Sequence, residues 1–274
     1  MTVRTRRNLF AGRHLRDGST IYWWVEILAI LAFYLVYSAI RNANEGGQTA
    51  ALHNAETLIE FQRSMGIFVE ETLQDWAQSF RPLIIAMNYF YGSLHFVATA
   101  GVGIYLFRRW SDDYPLWRNT LAITTSIALL GFIFWPLMPP RLLDTLGGAD
   151  YGFADTLAQY PTFWSFNSGA VAEVSNQFAA MPSVHVAWAL WCAAAMFPRV
   201  QRRWVRALFV AYPVMTIIAI VLTGNHYILD AVGGAVVLAI GYGVARLITR
   251  AGRRQPAGES DPATVAAPTP DAST

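Results

Sequence analysis

Two histidines, an aspartate and an arginine supply the chemistry this sequence can do. His226 opens the run His226-Tyr227-Ile228-Leu229-Asp230. Residues four apart share a helix face, so Asp230 can hydrogen-bond one imidazole nitrogen and leave the other free to attack. His185 closes Pro182-Ser183-Val184-His185, where proline and a hydroxyl side chain open a helix whose free amides and positive dipole end suit a phosphate. Arg141 follows Pro139-Pro140, and a guanidinium is the group that best grips phosphate oxygens. The set is complete for a double displacement at phosphorus. His226 is the nucleophile, Asp230 its orienter, His185 the acid for the leaving group, and Arg141 holds the phosphoryl oxygens. The scheme needs neither a metal nor a cofactor.

The elements that must position these residues are membrane spans. The chain has 274 residues, 54% of them hydrophobic and only 14% charged, too few charges for a soluble domain. The apolar residues fall in runs of about 20, the length of a spanning helix. Six are read: Ile21 to Ile40, Pro82 to Phe107, Leu121 to Met138, Val184 to Phe197, Val205 to Leu222 and His226 to Ile248. The expected fold is therefore an all-α, polytopic bundle of six transmembrane helices over residues 21–250, flanked by a basic arm (1–20) and a tail (251–274). The tail is rich in Pro, Ala, Thr, Ser and Asp and cannot offset the entropy of ordering, so disorder is expected there. The first apolar run is too long for a signal peptide and lacks a small-residue cleavage site, so it reads as an uncleaved span.

Arginine distribution orients the bundle. The N-terminal arm, the Arg108 to Arg118 loop, the Arg199 to Arg206 loop and the Arg246 to Arg254 tail fall on one side, which the positive-inside rule makes cytoplasmic, with both termini. The alternate loop Arg41 to Arg81 carries six acids, Glu45, Glu56, Glu60, Glu70, Glu71 and Asp75, and is assigned outside. Within it Leu52, Ala55, Leu58, Ile59 and then Ile67, Phe68, Leu73, Trp76 recur at roughly helical spacing with a break at Gly66. That pattern suggests two outer-face helices lying in the interface (41–81), a collar around a lipid entrance. Arg141, His185 and His226 all fall at outer ends of spans, although the topology was assigned without them. An integral protein of the plasma membrane with an extracytoplasmic site is expected.

Composition excludes several classes. All 20 basic residues are arginine, so no lysine chemistry exists, and a formal charge of +2 argues against a nucleic-acid surface. The single cysteine, Cys192, allows neither a disulfide framework nor a cysteine metal cluster.

With both histidine motifs in hand, the chain resembles the type 2 phosphatidic acid phosphatase superfamily, which carries Pro-Ser-x-His and a downstream His-x-x-x-Asp. The fuller pattern adds Asn88-Tyr89-Phe90-Tyr91, His95, Pro139-Pro140-Arg141, Met181-Pro182-Ser183 and Asn225-His226-Tyr227. It is similar to the inositolphosphotransferase branch, which includes inositol phosphorylceramide synthase. The resemblance implies that His226 forms a phosphohistidine and His185 is the acid/base. It also implies a lipid phosphate or phospholipid as substrate and water or an alcohol such as inositol as acceptor. Two departures stand out. The superfamily has Ser-Arg where this chain has Ala219 and Ile220, and its first motif uses a lysine. Phosphate binding must then rest on Arg141 with Ser183 and Asn225.

Blander readings stand beside these. His95 and Asn88, both within the second span, are either packed, hydrogen-bonded residues or substrate contacts. Glu26, in the first span, should face the bundle or the interface. As a whole, a histidine-lined transporter or metal-binding membrane protein, or an inactive member of the same fold, are the alternative functions.

Overall fold

A computed structural model describes residues 12–43, 47–148, 150–162 and 177–252. Most of the basic arm, and the tail from residue 253 onward, lie outside the described residues. So do the acid Glu45 and residues 163–176, which precede the Pro182 motif.

The described chain is helical apart from one small antiparallel pair, β1 (Arg13–His14) with β2 (Thr20–Ile21). In order come α1 (Trp23–Ala43), α2 (Gln48–Ser64), α3 (Glu70–Gln78), α4 (Arg81–Tyr89), a π-helical turn (Phe90–Leu94) and α5 (His95–Arg109). Then follow α6 (Tyr114–Phe134), α7 (Pro140–Leu146), α8 (Thr156–Gln159), α9 (Val184–Met196), α10 (Arg203–Leu222) and α11 (Ile228–Gly252).

Among the described residues, five helices are long and apolar enough to cross a membrane: Trp23–Ile40, Arg81–Arg109, Tyr114–Phe134, Arg203–Leu222 and Ile228–Ala251. They make the chain an integral membrane protein of mainly helical fold. Of the six spans expected, the fourth is the exception. Helix α9 has 13 residues, about 20 Å at 1.5 Å per residue, against a hydrocarbon core of about 30 Å. The third expected span also ends early, since α6 stops at Phe134. Pro139 and Pro140 start α7 instead of ending α6, because a proline at the first helical position lacks only an N–H that would be unpaired there.

Helices α6 and α11 pack antiparallel at close range. A Cβ at Gly241 would lie 2.3 Å from Thr124 Oγ1, so only glycine lets these backbones approach, as small residues do between membrane helices. Helix α1 is peripheral: Leu28, Leu31 and Leu35 are exposed, as suits a lipid-facing helix.

The bundle has two distinct ends. At one, arginines tie the connections together. Arg13 NH1 donates to Arg108 O at 2.9 Å, Arg199 NH2 pairs with Asp113 at 2.5 Å, and Arg118 NH1 meets Glu26 at 2.6 Å. Glu26 thus faces the bundle, where Tyr114 Oη also donates to it at 3.0 Å. At the other end, Ala51, Ala55, Leu58 and Ile59 of α2 pack on Leu137, Met138, Leu142, Leu143 and Tyr227. Helices α2 and α3 flank Gly66, whose φ of 69° ends α2's turn in the left-handed region that glycine tolerates.

Candidate active site

The candidate site forms at that second end, where α10 hands over to α11. Gly224 (φ 68°) reverses the chain, and the amides of Asn225 and His226 return to Ile220 O at 2.9 and 3.2 Å. A side chain at 224 would be strained at this φ, and its Cβ would lie 2.5 Å from Gln74 Nε2 and 3.3 Å from Arg141 N. The turn delivers His226 just before α11, with Asp230 on the same face.

His226 is 4% exposed and Asp230 fully buried. The imidazole Nδ1 lies 2.8 Å from Ala180 O and 3.2 Å from Asp230 Oδ2. Both neighbours are acceptors, so Nδ1 carries the proton and Nε2 keeps its lone pair. Oδ2 also accepts from Tyr227 N at 2.9 Å, which fixes the carboxylate against its own helix start. Behind it, the Tyr227 phenol donates to Met138 O at 3.1 Å.

His185 is the second residue of α9, and its ring centre lies 5.7 Å from that of His226. Helix α9 starts close to α11 because Gly234 leaves room. A Cβ there would sit 2.5 Å from Ser183 O, and Ser183 N donates to Asp230 O at 2.9 Å. Ser183 itself is buried and acts as the N-cap, its Oγ facing Val186 N at 3.5 Å. Its hydroxyl is therefore engaged with the helix start.

Arg141 is 6% exposed. Its backbone N donates to Gly224 O at 2.8 Å, which ties α7 to the turn before His226. Nε donates to Asn225 Oδ1 at 3.1 Å, and NH1 reaches both carboxylate oxygens of Asp155 at 3.1 Å. Asn225 in turn donates from Nδ2 to Thr223 Oγ1 at 2.8 Å. Asn225 thus orients the guanidinium.

The two expected contact residues separate. His95 belongs to the cluster: its ring centre is 4.3 Å from that of His185, and its Nδ1 donates to Tyr91 O at 2.9 Å. Asn88 is fully buried, and its Nδ2 donates to Thr156 O at 2.9 Å. Thr156 Oγ1 donates to Thr223 O at 2.8 Å. Asn88 therefore anchors α8, next to Asp155.

Sequence reasoning gave no role to several residues of the site. Tyr91 stacks on His185 at 4.1 Å and meets His226 edge-on at 6.2 Å. The π-helical turn around it re-aims the side chains of the second span, a device frequent at functional sites. Asp155, the partner of Arg141, caps α8 and accepts from Leu157 N and Ala158 N. A helix-capping aspartate was the signal available for it. A crevice lined by Phe90, Tyr91, His95, His185, Tyr212, Thr216, Ala219 and Ile220 is too narrow for a water molecule. Ala219 and Ile220, where the resembled family has Ser-Arg, give that wall an apolar surface. Among the described residues no group of three His, Cys, Asp or Glu side chains could hold a metal ion.

The model of the PAP2 superfamily matches residues 56–244, and the chain belongs to that superfamily. Its members are generally phosphatases or phosphotransferases acting on phosphorylated lipids or similar substrates. No curated protein and no solved structure matches the chain.

Proposed function

From membership of the PAP2 superfamily as premise, we propose that this protein is a membrane enzyme that cleaves or transfers the phosphoryl or phospho-head group of a lipid through a phosphohistidine on His226. The carrying observation is the Nδ1 of His226, shared between Ala180 O and Asp230 Oδ2, which leaves Nε2 as a neutral nucleophile.

In the first half-reaction His226 Nε2 attacks phosphorus, the P–N bond forms and the P–O bond to the lipid breaks. His185 gives its proton to the departing oxygen, and Arg141 balances the charge on the equatorial oxygens. In the second, His185 takes a proton from the acceptor, whose oxygen attacks phosphorus and releases His226. Water as acceptor makes a phosphatase; an alcohol such as inositol makes a transferase. Arg141 holds the phosphate with Asn225 as its orienter, Ser183 lends the start of α9, and His95 lies within reach of the acceptor or leaving group.

The proposed topology keeps six spans over residues 21–250, both termini in the cytoplasm, and an extracytoplasmic site in the plasma membrane with α2 and α3 as outer-face helices. Its support is the gathering of Arg13, Arg118 and Arg199 at the bundle end opposite His226. The shortness of α9 fits this arrangement if its start, with His185, is recessed about 10 Å below the outer surface.

The test is release of phosphate or head group from a panel of lipid phosphates and phosphodiesters by the purified protein in EDTA, with and without inositol, beside His226→Ala. Head-group exchange that needs the alcohol identifies a transferase, and free phosphate from monoesters a phosphatase. Activity that survives His226→Ala refutes the mechanism.

A further inference from the structure

Helix α3 turns its polar side inward. Glu70, Gln74 and Ala77 are fully buried, while Leu73 and Trp76 are 38% and 55% exposed and Phe80, just beyond the helix, is 53% exposed. A carboxylate and an amide taken out of solvent are stable only where partners meet them, and here the partners are the two halves of the site. Glu70 Oε1 accepts from Ile228 N at 2.8 Å and from Gln62 Nε2 at 2.5 Å, and Oε2 accepts from Val69 N at 2.9 Å. Ile228 is the first residue of α11, so Glu70 caps, from another element, the helix start that carries His226 and Asp230. Its negative charge also complements the positive dipole end there.

Gln74 lies one turn further along the same face. Its Nε2 donates to Ala154 O at 3.0 Å, and its Oε1 accepts from Ala154 N at 3.0 Å. Both polar groups of that backbone unit are clamped by one side chain. The next residue is Asp155, whose carboxylate holds Arg141 NH1.

We propose that Glu70 and Gln74 are positioning residues of the site, with α3 as a bracket between its halves: Glu70 sets the line of attack of His226, and Gln74 sets the phosphate-holding guanidinium through Asp155. The inference rests on the phosphohistidine reading, and it assigns the two side chains separable effects. Loosening the start of α11 misaligns the nucleophile while Asp155 still holds Arg141 NH1. Freeing Ala154 lets Asp155 and Arg141 move without altering the His226–Asp230 pair.

The experiment uses the full chain in lipid nanodiscs, as wild type, His226→Ala, Glu70→Ala, Glu70→Gln and Gln74→Ala. Two quantities are read per folded molecule: the single-turnover rate of acid-labile phosphoenzyme formation at saturating lipid phosphate, and competitive inhibition by inorganic phosphate. Glu70→Ala is expected to slow phosphoenzyme formation about 10²-fold, the effect of misplacing a reacting atom by about 1 Å, with phosphate inhibition unchanged. Glu70→Gln, whose Oε1 still accepts from Ile228 N, should recover most of that rate. Gln74→Ala should weaken phosphate inhibition about tenfold, the equivalent of one lost hydrogen bond of about 1.4 kcal/mol, and leave the saturated rate near wild type. If Glu70→Ala does not fold, Glu70→Asp, with its carboxyl drawn back by a methylene, carries the same expectation. Variants that match wild type, or that share one pattern of lost protein with unchanged rate and inhibition per folded molecule, overturn this inference alone. Absence of phosphoenzyme in the wild type overturns the phosphohistidine reading and this inference with it.

Discussion

Replacing Asp230 by asparagine separates the two services a carboxylate renders to a nucleophilic imidazole. One is to hold the tautomer, the other to stabilise positive charge as the ring attacks. In a serine-protease triad the same change leaves the wrong tautomer and costs about 10⁴-fold. Here Ala180 O accepts from His226 Nδ1 at 2.8 Å, independently of Asp230, so the tautomer survives. What remains is the charge. At the 3.2 Å contact, a full charge pair at an effective dielectric of 20 is worth about 5 kcal/mol, and a half-developed charge about 2.5 kcal/mol. Asp230→Asn should therefore lower the rate of phosphoenzyme formation by about 10²-fold, since 1.36 kcal/mol is tenfold. The assay is single-turnover formation of acid-labile phosphoprotein from the lipid phosphate the wild type uses best, beside His226→Ala, which should form none. A loss near 10⁴-fold would show that Ala180 does not hold the ring, and a rate within twofold of wild type would show that the aspartate carries no charge role; either result refutes the reasoning.

Arg141→Lys keeps a charge but cannot bridge Asn225 and Asp155 at once; kcat/KM should fall about 10²–10³-fold, as for loss of one oxyanion donor, and a near-normal value would remove Arg141 from the site. Gly234→Ala places a methyl 2.5 Å from Ser183 O, so an overpacking cost of about 1–3 kcal/mol should appear as a lower Tm in the same detergent, together with slower turnover as α9 and His185 shift. The same initial rates in EDTA and in buffer are expected, and a rate restored only by added divalent cation would contradict a metal-free displacement.

Much of the site was legible because its signals are local. The i, i+4 spacing of His226 and Asp230 implies a shared face, and the two residues are hydrogen-bonded. Pro182-Ser183 marks a helix start, and α9 begins at Val184 with Ser183 as its cap. The side-chain partners of Ser183 and Asn225, a helix start and the guanidinium of Arg141 respectively, were not legible, because side-chain direction depends on partners that are distant in sequence. Asn88 is the clearer case, since its amide binds the backbone of Thr156, 68 residues away.

Length and hydropathy by themselves determined that this chain enters a membrane, since apolar runs long enough to span need no partner to declare themselves. The four-residue spacing likewise gave the pairing of His226 with Asp230. Hydropathy could not decide which face of α3 points inward. In water the apolar side of a helix is buried, but beside a bilayer that side can meet lipid, and the pattern of Leu73 and Trp76 reads the same either way. Only the tertiary structure turned Glu70 and Gln74 into the protein, set Asp155 against Arg141 and put Ala180 O on the imidazole of His226. Each of these contacts joins residues whose spacing carries no period, so packing alone brings them together.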